Sequence, residues 1–128
     1  MDTEKLKHLD KLPPDVRREF ALLANKYGQK KKESKIREDF MSFVKHVWPD
    51  FVEGSHHRKV AKKFNDIASG KIKRVIINMA PRHTKSEFAS YLLPAWMVGR
   101  NPKLKIIQST NTTELSVRFG RKAKQLMD

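Results

Sequence analysis

Apolar positions along this chain follow two textures: helical spacing in the first half and short continuous runs in the second. Pro13-Pro14 sets up a first helix, with Asp15 and Glu19 flanking Arg17-Arg18 in its opening turns. Phe20, Leu22, Leu23 and Tyr27 give it an apolar stripe, and Gly28 is its predicted stop. Residues 1–12 read as a frayed, charged lead, and "QKKKESK" (29–35) as a solvated linker. Ile36, Phe40, Phe43, Val44, Val47 and Trp48 then recur at helical spacing up to Pro49. A third helix is predicted over 55–68, capped by Ser55, burying Val60, Phe64 and Ile67, and closed by Gly70.

From Lys71 the pattern changes. "RVIINM" (74–79) is nearly continuous, apolar and β-branched, the pattern of a strand buried on both faces in a parallel sheet. A helix follows from about Lys85, with Phe88, Leu92 and Trp96 on one face and Pro94 expected to kink or restart it. "LKIIQS" (104–109) reads as a second strand. Asn111 and Glu114 then form a capping box for a last helix with the stripe Leu115, Phe119, Ala123 and Leu126. The order strand–helix–strand–helix predicts an α/β fold with a right-handed parallel crossover. Two strands are too few for a stable sheet, so the expected sheet is incomplete. The organisation is a helical, basic segment over 1–35 and the beginning of an α/β domain over 36–128.

Charge narrows the function classes. The 128 residues carry 28 Lys+Arg against 14 Asp+Glu, a net charge of +14, which points to a polyanionic partner, nucleic acid before membrane. Lys30, Lys31 and Lys32, and the cluster Arg118, Arg121, Lys122 and Lys124, are the candidate phosphate contacts; each also reads as a solvated face. The absence of cysteine excludes a disulfide framework, a thiolate metal site and a cysteine nucleophile, and suits a reducing cytoplasm. The acidic start Met1-Asp2-Thr3-Glu4 is no signal peptide. The longest apolar run, Phe88 to Gly99, contains Pro94 and is too short to span a bilayer, so no membrane association is expected.

The stretch "INMAPRHTKSEFAS" (77–90) carries the candidate chemistry. Lys85-Ser86 stands where a phosphate loop places its lysine and its magnesium-binding hydroxyl, after a predicted strand and at the first turn of a helix. The pattern G-x-x-x-x-G-K-[ST] asks for glycine at positions 79 and 84, which here hold Met79 and Thr84. A β-branched Thr84 is disfavoured at positive φ. The pattern alone therefore leaves open a phosphate loop or a basic turn.

The run "IINMAPRHTKSEFASYLLPAW", followed by "KLKIIQSTNTTELSVRFGRK", resembles the ATPase motor domain of tailed-phage terminase large subunits. The upstream segment "HVWPDFVEGSHHRKVAKKFNDIASGKIKR" is similar to the helix preceding the loop in that family, and the resemblance covers roughly 40–128. It implies a P-loop NTPase-type parallel sheet in which Ala80, Pro81, Arg82, His83, Thr84, Lys85 and Ser86 surround the phosphates of ATP. Lys85 would be the phosphate-binding lysine, Ser86 the Mg2+-side hydroxyl, and Arg82 a candidate for sensing or stabilising the γ-phosphate. His57, within His56-His57-Arg58, lies where the family places an adenine-contacting segment; on residues alone these are surface histidines at a helix start. "STNTTE" (109–114) matches a motif such motors use near DNA, while helix capping alone accounts for Asn111 and Glu114.

The resemblance further implies a parent that drives double-stranded DNA into a procapsid in the host cytoplasm. Its partners would be a terminase small subunit and a portal, and it would be oligomeric only as the full-length parent. No apolar run ending in Asp-Glu follows residue 109, so the magnesium-binding aspartate and the water-activating glutamate are missing, as is a nuclease carboxylate cluster. This reads as the first part of a terminase, from a truncated, interrupted or split gene, with ATP hydrolysis not expected of it alone. The rival readings are a basic nucleic-acid-binding module without nucleotide chemistry and part of a helicase-type NTPase.

Overall fold

The computed structural model of the protein describes residues 13–127. Every regular element among them is helical: α1 (Pro14–Glu38), α2 (Phe40–Val47), α3 (Ser55–Ala68), α4 (Lys85–Glu87), the π-helical turn π1 (Phe88–Leu92), α5 (Leu93–Arg100) and α6 (Thr113–Gln125). The predicted frayed lead, residues 1–12, lies outside the described residues. The chain divides into two units, Met1–Ser34 and Lys35–Asp128.

In the first unit α1 buries nothing, and its stripe Phe20, Leu22, Leu23 and Tyr27 is exposed. Gly28 does not stop it, and the predicted linker 29–35 is helical. A glycine inside a helix costs only about 1 kcal/mol, and the lysines and glutamates that follow are good helix formers. Gly28 also lacks the left-handed backbone that a glycine stop uses; among the glycines only Gly70 has positive φ, at 76°.

The second unit is organised around Phe40, which is fully buried. Its ring meets Phe64, Phe88 and Trp96 edge-on, at centroid distances of 5.1, 5.4 and 5.4 Å. Met41, Val44, Ala61 and Leu92 complete the buried core. Trp96 satisfies its indole N–H by donating to the Ile36 carbonyl at 3.0 Å.

A polar clamp sets the register of α2 on α3. Asp39 leaves the helical backbone (φ −124°, ψ 121°) and caps α2, its carboxylate accepting from Ser42 N–H and from Asn65 Nδ2–H. The amide oxygen of Asn65 in turn accepts from Phe40 N–H at 2.9 Å. Burial pushes the Asp39 carboxyl up, but the hydrogen bonds from Ser42 and Asn65, with Lys35 nearby, hold it below the usual carboxylate value.

Pro94 restarts the helix as expected, by a shift of register. Leu93 N–H donates to Phe88 O, five residues back, so π1 absorbs one residue and Pro94 falls in the first turn of α5. Two predicted caps move by one position. Gly54 rather than Ser55 precedes α3, and Thr112 rather than Asn111 caps α6, accepting from Leu115 N–H.

The predicted α/β fold, with its P-loop NTPase-type parallel sheet, is not formed. Residues 74–79 and 104–109 contain no strand, and among the described residues no backbone hydrogen bond joins them. Ile76 and Ile107 are 88% and 97% exposed. A continuous apolar run predicts burial on both faces only when neighbouring strands cover it. Here two such runs stand without others, and a lone parallel pair would leave both its outer edges unpaired. No helix among the described residues is long and apolar enough to cross a membrane.

Candidate functional site

The candidate loop is built on its backbone. Arg82 and Thr84 are the non-glycine residues at positive φ among the described residues, 63° and 57°. A β-branched residue in the left-handed region is strained by about 1–2 kcal/mol, so neighbouring contacts must hold it there. The turn brings the chain back on itself, and the Lys85 ammonium lies 3.4 Å from the Met79 carbonyl. His83 Nδ1–H donates to the Pro81 carbonyl at 2.9 Å, bracing the inside of the turn.

Those contacts come largely from α3. The Thr84 hydroxyl donates to the His83 carbonyl at 2.7 Å and lies 2.8 Å from His57 Nε2. On its other side, His57 Nδ1 accepts from Gly54 N–H at 2.9 Å. That acceptor role fixes the tautomer: Nε2 bears the proton and donates to Thr84 Oγ1.

His57 is buried between Phe51 and Phe88, with ring centroids 4.8 and 5.3 Å away, and so it is not the surface histidine of the plain sequence reading. His56 packs on it at 3.8 Å and reaches His83 at 5.6 Å. Gly54 permits this packing, since a Cβ there would lie 2.8 Å from His56 Cε1.

Burial holds the His57 imidazole below its ordinary value of 6.5, His56 and His83 add to this, and Glu53 opposes it. Glu53 is itself ion-paired to Lys45 and Arg58. A histidine whose folded value is lowered leaves stability intact above the unfolded value and weakens it as pH falls toward the folded one. The His57 ring should therefore titrate below 6.5 by NMR, and the fold should lose stability as pH drops below that point. A midpoint at or above 6.5 would contradict the buried neutral ring.

The predicted loop residues are thus brought together, with Ala80, Pro81, Arg82, His83, Lys85 and Ser86 exposed and Thr84 half-buried. The N–H groups of Lys85, Ser86 and Glu87 find no acceptor among the described residues; the first helical bond is Phe88 N–H to Thr84 O. Exposed cations beside free donors fit a polyphosphate. No group of three or more metal-ligating His, Asp or Glu side chains is gathered among the described residues.

The candidate nucleic-acid residues are distributed more loosely. Arg118, Arg121 and Lys124 are exposed on α6 and make no ion pair among the described residues. The Lys122 ammonium instead lies 5.0 Å from the Tyr91 ring centroid, a cation–π contact. Lys30, Lys31 and Lys32 are exposed on α1, in the other unit.

The sequence reading missed the bond from His57 to Thr84. The one local sign of it is a histidine at the third position of a helix after Gly54, where a capping-box side chain would turn back. No family model, curated protein or solved structure matches this chain.

Proposed function

We propose that residues 80–86 bind the triphosphate of ATP with Mg2+, and that the chain corresponds to the N-terminal part of the ATPase of a tailed-phage terminase large subunit. Such a motor drives double-stranded DNA into a procapsid. One observation carries the ATP reading. The left-handed residues Arg82 and Thr84 fold the loop so that the Lys85 ammonium, the Ser86 hydroxyl and N–H groups without an acceptor among the described residues share one short turn. The reading rests on this local geometry and does not invoke a sheet.

The test is titration of the whole chain with ATP and Mg2+. Saturable binding that inorganic tripolyphosphate displaces and adenosine does not is the expected result. No saturable binding at millimolar ATP, a free energy of about −4 kcal/mol, would defeat the reading.

The exposed cations of α6 support DNA as the partner, whether or not nucleotide binds. Non-specific duplex binding should weaken steeply between about 50 and 200 mM salt, because each neutralised phosphate releases counterions. Replacing Arg118 and Arg121 together by glutamine should lower the slope of log affinity against log salt by roughly 2. Affinity that is flat across that range would remove DNA as the partner.

A further inference from the structure

We propose that His57 is the positioning residue of the loop. By accepting from Gly54 N–H and donating to Thr84 Oγ1, it locks the left-handed turn that presents Lys85 and Ser86. The bonds form a directed relay: Gly54 N–H to His57 Nδ1, His57 Nε2–H to Thr84 Oγ1, and Thr84 O–H to the His83 carbonyl. Every donor in it has one acceptor, and its direction is fixed at both ends, because the Gly54 N–H can only donate and the His83 carbonyl can only accept.

The relay passes through the residue whose backbone is strained. Thr84 sits at φ 57°, immediately before Lys85, and its side chain is held at both ends of its hydrogen-bonding capacity. The ring that carries the relay is a rigid anchor. His57 is 7% exposed and wedged between Phe51 and Phe88, and Phe88 is itself in contact with Phe40 at the centre of the core. An imidazole packed this way cannot swing away from Thr84 without opening the core. The loop's geometry is thereby tied to a side chain 27 positions upstream in the sequence. This differs from a contact to adenine: His57 spends both ring nitrogens on the protein and has neither left for a ligand.

Three substitutions separate this role from space-filling. His57→Phe keeps an aromatic ring between Phe51 and Phe88 and removes both hydrogen bonds. His57→Gln keeps an acceptor and a donor at comparable reach and cannot titrate. Thr84→Val keeps the β-branched shape and removes the hydroxyl from the loop's side of the bond, leaving the His57 ring in place.

Backbone amide spectra of the whole chain should show the Lys85 and Ser86 resonances displaced in His57→Phe and in Thr84→Val. The amides of Val44 and Phe64 should keep their protection. His57→Gln should restore the loop amides, and the double variant of His57→Phe and Thr84→Val should fall short of the sum of the two, since both cut the His57–Thr84 bond.

The ligand arm rests on the phosphate reading above. Tripolyphosphate affinity should fall about tenfold in His57→Phe, or about 1.4 kcal/mol, and recover in His57→Gln. If tripolyphosphate binds equally to the parent chain and to Lys85→Ala, the phosphate reading fails, while displaced loop amides still establish the positioning role. Loop amides in His57→Phe that match the parent, or effects of the two substitutions that simply add, would overturn it.

Discussion

Phe40→Ala is expected to remove about 3–5 kcal/mol of stability, the usual cost of truncating a fully buried aromatic. Three features place the loss at the upper end. Phe40 has no exposed surface, and its ring lies edge-on against Phe64, Phe88 and Trp96, so the cavity opens among three helical segments at once. Each lost aromatic pair adds about 0.5–1.5 kcal/mol beyond area burial. The neighbours cannot readily collapse into the space, because Trp96 is tethered to the Ile36 carbonyl and Asn65 to Phe40 N–H. A domain of this size has about 5–15 kcal/mol in total, so the variant should stand near the edge of folding. Urea unfolding followed by tryptophan fluorescence measures it, with Val117→Ala on exposed α6 as a control expected to change stability by less than about 0.5 kcal/mol. A loss below about 1 kcal/mol for Phe40→Ala would mean that the core is centred elsewhere.

The core was legible where periodicity reports burial. Phe40, Val44 and Phe64, then Phe88, Leu92 and Trp96, fall on the predicted helical stripes and are buried, whereas Phe43, Val47, Trp48, Val60 and Ile67 on the same stripes are only half-buried. The sheet was misread because β-branched content signals a strand only through its neighbours. Val75, Ile76, Ile106 and Ile107 carry the strand pattern, yet nothing among the described residues pairs with them, and they stand exposed. Gly28 was misread for a related reason: a glycine ends a helix when the backbone turns left-handed, which sequence does not reveal.

The site was legible in part. Lys85-Ser86 stands out by local spacing. The positive φ of Thr84 was foreseeable as the cost of replacing a glycine, but what holds it was not. His57 and Thr84 are brought together by the packing of α3 against the loop, and no spacing rule reaches across 27 residues. The residue that the family resemblance would assign to adenine is committed to the protein's own backbone and to Thr84.

Lys85→Ala should cost the loop its polyphosphate affinity while leaving the fold intact. The side chain is exposed, and its partner among the described residues is the Met79 carbonyl at the long distance of 3.4 Å, so stability should change by less than about 0.5 kcal/mol. The ligand side is different. A charge-assisted hydrogen bond to phosphate is worth about 1.5–3 kcal/mol, so affinity for tripolyphosphate or ATP should fall roughly ten- to hundredfold. Arg82 and His83 are exposed in the same turn but cannot substitute. Arg82 presents a planar fork rather than a compact ammonium, and His83 has committed Nδ1 to the Pro81 carbonyl. Lys85→Arg should for the same reason recover only part of the loss, which separates a need for positive charge from a need for the lysine's reach. Calorimetric titration of the two variants beside the parent chain, with urea melts to certify the fold, decides between the readings. Equal affinity in Lys85→Ala and the parent would leave residues 80–86 a basic turn, its left-handed backbone serving only to connect α3 to α4.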